Sequence, residues 1–282
     1  MDQHSTFDCK PEQQYKETFM NKLYRWIFNH QQLTKIVLSV FLCGTYSGLL
    51  LWFHAPLWLI IVFDLFLLLG TQLAVNNAPL KLIKYTYDPL QNQCDPYPWL
   101  HVTKECLSKS KNEPLRQIFL MDHCAALDYI GEYEKAYELS KTINIDKYAS
   151  TLPPLKVIYY HNLASCCTEL NNFEEADLWH QKAEQLYADI TNPKQKESLK
   201  NTMQSGKVEA CYRNKKYDQA LEILENKIPK NKLESVNDAF TAAKIYIAQN
   251  DVEKAKAKLQ YVIQNGNKLH SVMEARQLME QL

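Results

Sequence analysis

The residue types that most often carry chemistry are present but scattered. The eight histidines stand at 4, 30, 54, 101, 123, 161, 180 and 270, and no two lie three or four positions apart. A helix brings together side chains at those spacings, so no metal-binding pair is in register. His123 and Cys124 adjoin in sequence but leave a helix in different directions. The eight cysteines, at 9, 43, 94, 106, 124, 166, 167 and 211, form no C-x-x-C. His161 with Cys166 or Cys167 is the one base and nucleophile candidate, yet Cys167 falls where a helix packs its own core. Phosphate-binding, dinucleotide-binding, zinc-protease and serine-hydrolase motifs are missing. The expectation is no enzyme, no cofactor and no metal site.

One acid stands out. Asp64 is the only charge in the 40 residues from Ile36 to Val75. Ile36–Phe53 and Leu57–Val75 are each about 27–29 Å long as helices, matching a hydrocarbon core of roughly 30 Å. Phe53-His54-Ala55-Pro56 makes the turn between them, flanked by Trp52 and Trp58 as at a membrane interface. Residues 36–75 therefore read as a two-helix transmembrane hairpin. A buried soluble helix pair and a cleaved signal peptide fit less well, because the block is long and 35 residues precede it. Asp64 is a functional candidate. It could hold a partner helix or accept a bond from Ser47, Thr45 or Tyr46. Gly44 and Gly48 form G-x-x-x-G, which suits packing between the two hairpin helices or, alternatively, association between chains. The contact residues expected in the membrane are thus Gly44, Gly48 and Asp64.

Lys22, Arg25 and Lys35 precede the block, Lys81 and Lys84 follow it, and the turn has no Lys or Arg. This places both termini in the cytoplasm, against the rival of a single span with the C-terminal part outside. Cysteines without a disulfide spacing suit reduced thiols there. Compact connections and such thiols suit a bacterial cell membrane. Residues 1–35 form an amphipathic segment, in which Phe19, Leu23 and Ile27 recur at i, i+4, i+8. It reads as an interfacial helix or as a continuation of the first span.

The mean hydropathy of −0.39 averages this block with a polar remainder. Net charge is zero, from 32 Lys plus Arg against 32 Asp plus Glu. It stays zero on each side of residue 76, so no electrostatic footprint for nucleic acid exists in either half. Six glycines leave little room for a hairpin-rich β protein. Residues 76–98, with prolines at 79, 89, 96 and 98, read as a linker.

Residues 99–282 read as helical pairs aligned on Ala136, Ala176, Ala220 and Ala255. In each, a first helix is followed by a tight turn: Gly131-Glu132-Tyr133, Asn171-Asn172-Phe173, Lys215-Lys216-Tyr217 and Asn250-Asp251-Val252. The alanine three residues beyond the aromatic or valine lets the two helices touch. Gly131, Tyr133 and Ala136 in the first unit, Leu163, Ala164, Phe173, Ala176 and Ala183 in the second, Tyr217 and Ala220 in the third, and Ala243, Tyr246 and Ala255 in the fourth resemble the tetratricopeptide repeat family over about residues 115–265. The alanine spacings of 40, 44 and 35 exceed that family's usual 34. Its closing proline is displaced, with Pro153 and Pro193 in the lengthened connections. The fold class expected is all-α: a two-helix transmembrane hairpin followed by a tetratricopeptide-like α-α solenoid, with 269–282 as a closing helix and 99–108 covering the other end.

The resemblance implies a binding scaffold whose first helices line a groove. Groove positions are Met121, Ala125, Asp128 and Tyr129; His161, Asn162, Ser165 and Thr168; Ser205, Glu209, Tyr212 and Arg213; and Phe240, Lys244 and Ile247. Tyr129, His161, Asn162, Ser165, Thr168, Tyr212, Arg213 and Lys244 are the contact residues expected to meet an unknown protein or peptide. Asn162 matches a family position that often grips a peptide backbone. Met121 and Ala125 stand where chaperone-binding members place a carboxylate clamp, so that clamp is not supported. The alternative is a structural subunit of a membrane complex, in which the hairpin makes the main contact, with a homo-oligomer as one form of that contact.

Overall fold

The computed structural model describes residues 18–148 and 152–282, all helix and connection with no strand among them. His4, Cys9, Lys16 and the first half of the segment read as 1–35 lie outside the described residues. The chain divides into two compact units, ending at Thr86 and beginning at Tyr87.

In the first unit, α1 (Phe19–Asn29) opens with Thr18, whose side chain accepts from the Asn21 amide at 3.3 Å. Then α2 (Gln31–Trp52) and α3 (Leu57–Asn76) form an antiparallel hairpin around Pro56, which immediately precedes α3. Both helices are long and apolar enough to cross a membrane, and most of their residues are exposed rather than packed within the protein. Polar groups tie the two together. The Ser39 and Thr71 hydroxyls lie 3.0 Å apart, Ser47 donates to Asp64 Oδ2 at 2.7 Å, and Tyr46 stacks on Phe63.

Residues 76–98, read as a linker with little helical period, are largely helical, and the boundary between the two units falls within them. Here α4 (Ala78–Gln93) buries Ala78, Leu82, Thr86 and Leu90, a four-residue period that the prolines obscured. Pro79 lies in the first turn of α4, where no amide bond is lost, and Pro96 and Pro98 open α5 (Tyr97–Lys109) in the same way. Only Pro89 is interior to a helix.

In the second unit, α5 packs on α6 (Glu113–Tyr129), and α6 on α7 (Tyr133–Lys141). The short α8 (Ile145–Tyr148) occupies the first lengthened connection. Then α9 (Pro153–Glu169) pairs with α10 (Phe173–Asp189), α11 (Pro193–Arg213) with α12 (Tyr217–Asn226), and α13 (Lys232–Ala248) with α14 (Val252–Asn265), followed by α15 (His270–Gln281). Pro153 and Pro193 are the first residues of α9 and α11. Asn112, Asn192 and Asn231 cap α6, α11 and α13 by accepting backbone amides.

The four turns share one geometry. Gly131, Asn171, Lys215 and Asn250 are left-handed, with φ of 83°, 59°, 58° and 61°. The residue after each sends its amide five residues back, to Leu127, Cys167, Cys211 and Tyr246, at 2.8–3.0 Å. The left-handed residue itself bonds three residues back, so both orphan carbonyls are met as in a Schellman motif. Ala136, Ala176, Ala220 and Ala255 all have 0% exposure at the helix crossings. The ends of this array meet. Lys268 N donates to the Cys94 carbonyl and Asn267 Nδ2 to that of Gln93, while the His270 ring sits against Gly131 and edge-on to Tyr133.

Candidate interaction face of the helical pairs

The side of α9 carrying His161, Asn162, Ser165, Thr168 and Glu169 is half-buried, at helical spacings of i, i+1, i+4, i+7 and i+8. Its opposite side buries Val157, Leu163, Ala164, Cys166 and Cys167 in the core. Neither the Asn162 amide nor the Ser165 hydroxyl has a hydrogen-bond partner among the described residues. The amide therefore keeps two donors and an acceptor for a ligand.

Not every expected contact residue is so placed. Arg213 is a strut rather than a free cation. Its side chain is 5% exposed, with Nη1 donating to Thr168 Oγ1 at 2.9 Å and Nη2 to Asp177 Oδ1 at 2.6 Å. Thr168, which also donates to the Ala164 carbonyl, is consumed in the same joint. Tyr212 packs beside Tyr217 against Val208, Ala220 and Ile245. Lys244 lies over the Phe240 ring and pairs with Glu169 Oε1 at 3.3 Å. Met121 and Phe240 are core residues, not groove residues. On α6 the expected Ala125, Asp128 and Tyr129 are half-buried, and Asp122 takes the place given to Met121. Adjacent residues on a helix point about 100° apart, so reading Met121 for Asp122 turned that face inward.

The face is richer in carboxylates than the spacing of the first helices suggested. Asp122, Asp128 and Glu209 keep some contact with solvent yet are crowded by protein. Burial alone pushes Asp122 up to about 7. Burial, then the charges of Glu169 and Glu209, pushes Asp128 to about 7, against a weak bond from the Cys166 thiol. Burial and Glu169 do the same for Glu209, which nearby Arg213, Lys244 and Lys227 oppose. At Lys244, burial works to lower the pKa, but Glu169, Glu274 and Glu209 outweigh it and raise it. Asp122, Glu169 and Glu274 were missed by the sequence reading. Glu169 stands four residues after Ser165, a spacing that shares its face.

His161 is held down to about 4 by burial, with His180 and Lys227 adding to the effect. Both rings crowd Gly206, where a Cβ would come 2.3 Å from His180 Cε1 and 3.4 Å from His161 Nδ1. Buried Lys227 donates to Asp238 at 2.6 Å and Ser205 at 2.8 Å. Burial pushes the Cys167 thiol up to about 11 and that of Cys166 higher still, so neither is a thiolate beside His161. Tyr129 is half-buried, and burial raises its hydroxyl well above the ordinary range. No cluster of three or more metal-ligating side chains occurs among the described residues.

In the hairpin, Asp64 takes the Ser47 bond, while Oδ1 is buried without a partner. Thr45 instead bonds back to the carbonyls of Phe41 and Leu42. Gly44 and Gly48 do not mediate the packing of α2 on α3, as a Cβ at either position would meet nothing within 4 Å. Ser39, Cys43 and Ser47 occupy that seam instead. No family model matches the chain, and no curated protein or solved structure matches it.

Proposed function

We propose that this chain is a membrane-anchored scaffold: the α2–α3 hairpin spans a bilayer with both flanks cytoplasmic, and a tetratricopeptide-like array holds a protein or peptide segment at that face. The observation that carries the reading is the unpartnered Asn162 and Ser165 on the half-buried side of α9, beside the carboxylates of Glu169 and Glu209. Such groups recognise backbone amides and polar side chains. The four identical turns support the family likeness, because they set four first helices in equivalent positions. Cytoplasmic flanks are supported by Lys22, Arg25, Lys35, Lys81 and Lys84 and by free rather than disulfide-bonded thiols at Cys43, Cys94, Cys106, Cys124, Cys166, Cys167 and Cys211.

A second reading, a structural subunit of a membrane complex, is favoured by Gly44 and Gly48. They present an open small-residue stripe on the hairpin. One experiment separates the two. A photo-crosslinking side chain is placed at Ser165, at Gly48, or at exposed Leu178 on α10 as a control, in the intact protein in its own membrane. One discrete adduct at Ser165 that is absent at Leu178 supports the scaffold. An adduct only at Gly48 supports the subunit reading and defeats the scaffold.

A further inference from the structure

We propose that the foot of the hairpin is a docking surface for the headgroups of an anionic phospholipid leaflet, built from α1 and the start of α4. The inference rests on the membrane-spanning part of the proposed function and goes beyond it by naming a lipid class.

Three observations within the first unit converge. Charge is fully segregated: from Thr18 to Thr86 the bases are Lys22, Arg25, Lys35, Lys81 and Lys84, and the only acid is Asp64 inside the hairpin. All five bases lie on α1, the first turns of α2, or the start of α4. The Trp52–Trp58 end has none. Second, the Tyr24 and Tyr85 rings stack at 5.6 Å, so a residue of α1 meets one of α4 near the end of α2 and α3 where those bases lie. Lys22, Lys81 and Lys84 are exposed, and no ion pair engages them or Lys35 among the described residues. Third, α1 presents Phe19, Leu23 and Trp26 to the outside, 77%, 36% and 49% exposed, with Lys22 between them.

An apolar stripe interleaved with lysine suits a helix lying at the level of lipid headgroups, its aromatic side chains among the acyl chains and its ammonium groups on phosphates. Lysines gathered next to a span draw anionic lipids electrostatically.

The test uses the intact protein in phosphatidylcholine vesicles containing spin-labelled phosphatidylglycerol or spin-labelled phosphatidylcholine, after an alkaline wash. The expected result is that the protein stays with the vesicles and restrains labelled phosphatidylglycerol about fivefold more than labelled phosphatidylcholine. That preference should fall toward unity in high salt, and at low salt in the Lys22→Gln/Lys81→Gln/Lys84→Gln variant. The salt series on the unaltered protein is decisive even where the variant is poorly folded. Protein that stays with the vesicles but restrains both lipids equally overturns the lipid inference and leaves the spanning reading intact. Protein stripped off by the wash overturns both.

Discussion

Lys268 Nζ lies 2.7 Å from Asp95 Oδ2 and joins two connections 173 positions apart. Both connections turn through left-handed residues, Cys94 and Asn267, with φ of 55° and 51°. The pair is 30% and 13% exposed, so solvent screens part of its attraction, and Lys268→Met should cost about 1 kcal/mol. The loss should be local. The Lys268 amide, which donates to the Cys94 carbonyl, should exchange its hydrogen about fivefold faster, while amides inside α9 and α10 keep their rates. Unchanged exchange at Lys268 would mean that the backbone bonds close the array without the ion pair.

The four turns predict substitutions of opposite sign. Lys215 holds a left-handed conformation at a cost of about 1 kcal/mol that glycine does not bear. Lys215→Gly should therefore raise the unfolding free energy by a few tenths to 1 kcal/mol. Gly131→Ala should lower it by more than 1 kcal/mol, because φ is 83° and the new Cβ would come 2.3 Å from His270 Nδ1. Thermal melts of the intact protein in micelles, followed by helical circular dichroism, give both signs. Equal effects at the two sites would refute the equivalence of the turns.

These turns also explain what was legible in the sequence. Alanine between helices and Gly or Asn at a helix end are local requirements, so 136, 176, 220 and 255 could be aligned without coordinates. The hairpin was legible because lipid demands uninterrupted apolar length. The face of each helix was harder. Met121 and Asp122 both fit an amphipathic pattern, and only the packing of α6 selects which one turns inward. Arg213 read as a free groove cation because Asp177, its partner, lies on another helix. The helical period of 76–98 was hidden by its four prolines, of which Pro79 and Pro98 occupy first turns and Pro96 directly precedes α5. Gly44 and Gly48 looked like the hairpin seam by motif, yet the hydroxyls of Ser39, Ser47 and Thr71 supplied a stronger one.

That polar seam gives the third prediction. Ser47 donates to the Asp64 carboxylate and Cys43 to the Asp64 backbone carbonyl, while Asp64 Oδ1 is without a partner. Removing the hydroxyl by Ser47→Ala should weaken the hairpin by about 0.6 kcal/mol and by no more than about 1.7 kcal/mol, the average and the maximum for bonds between membrane helices. Asp64→Asn keeps an acceptor and removes the charge, and should restore or exceed the original stability. Steric-trapping measurements on the intact protein in bicelles would read both. If Ser47→Ala is neutral, Asp64 is held by something other than the Ser47 hydroxyl.

Glu209 offers a prediction in pH. Its folded carboxyl is pushed up to about 7 from an ordinary 4.5, by burial first and by Glu169 second. Between those values the folded protein holds a proton that the unfolded chain has released. Stability from this group is therefore full below about 4.5 and declines as pH rises toward 7, at up to about 1.4 kcal/mol per unit. His161, lowered to about 4, slopes the other way over part of the range. A comparison of two proteins that both keep His161 largely cancels it. Glu209→Gln has no proton to lose. Its stability relative to the unaltered protein should rise between pH 5 and pH 7, by up to about 2 kcal/mol. Urea unfolding of both proteins at pH 5, 6 and 7 measures the difference. A flat difference would mean that Glu209 is ionised throughout in the folded state, with Arg213 and Lys244 compensating its burial in full.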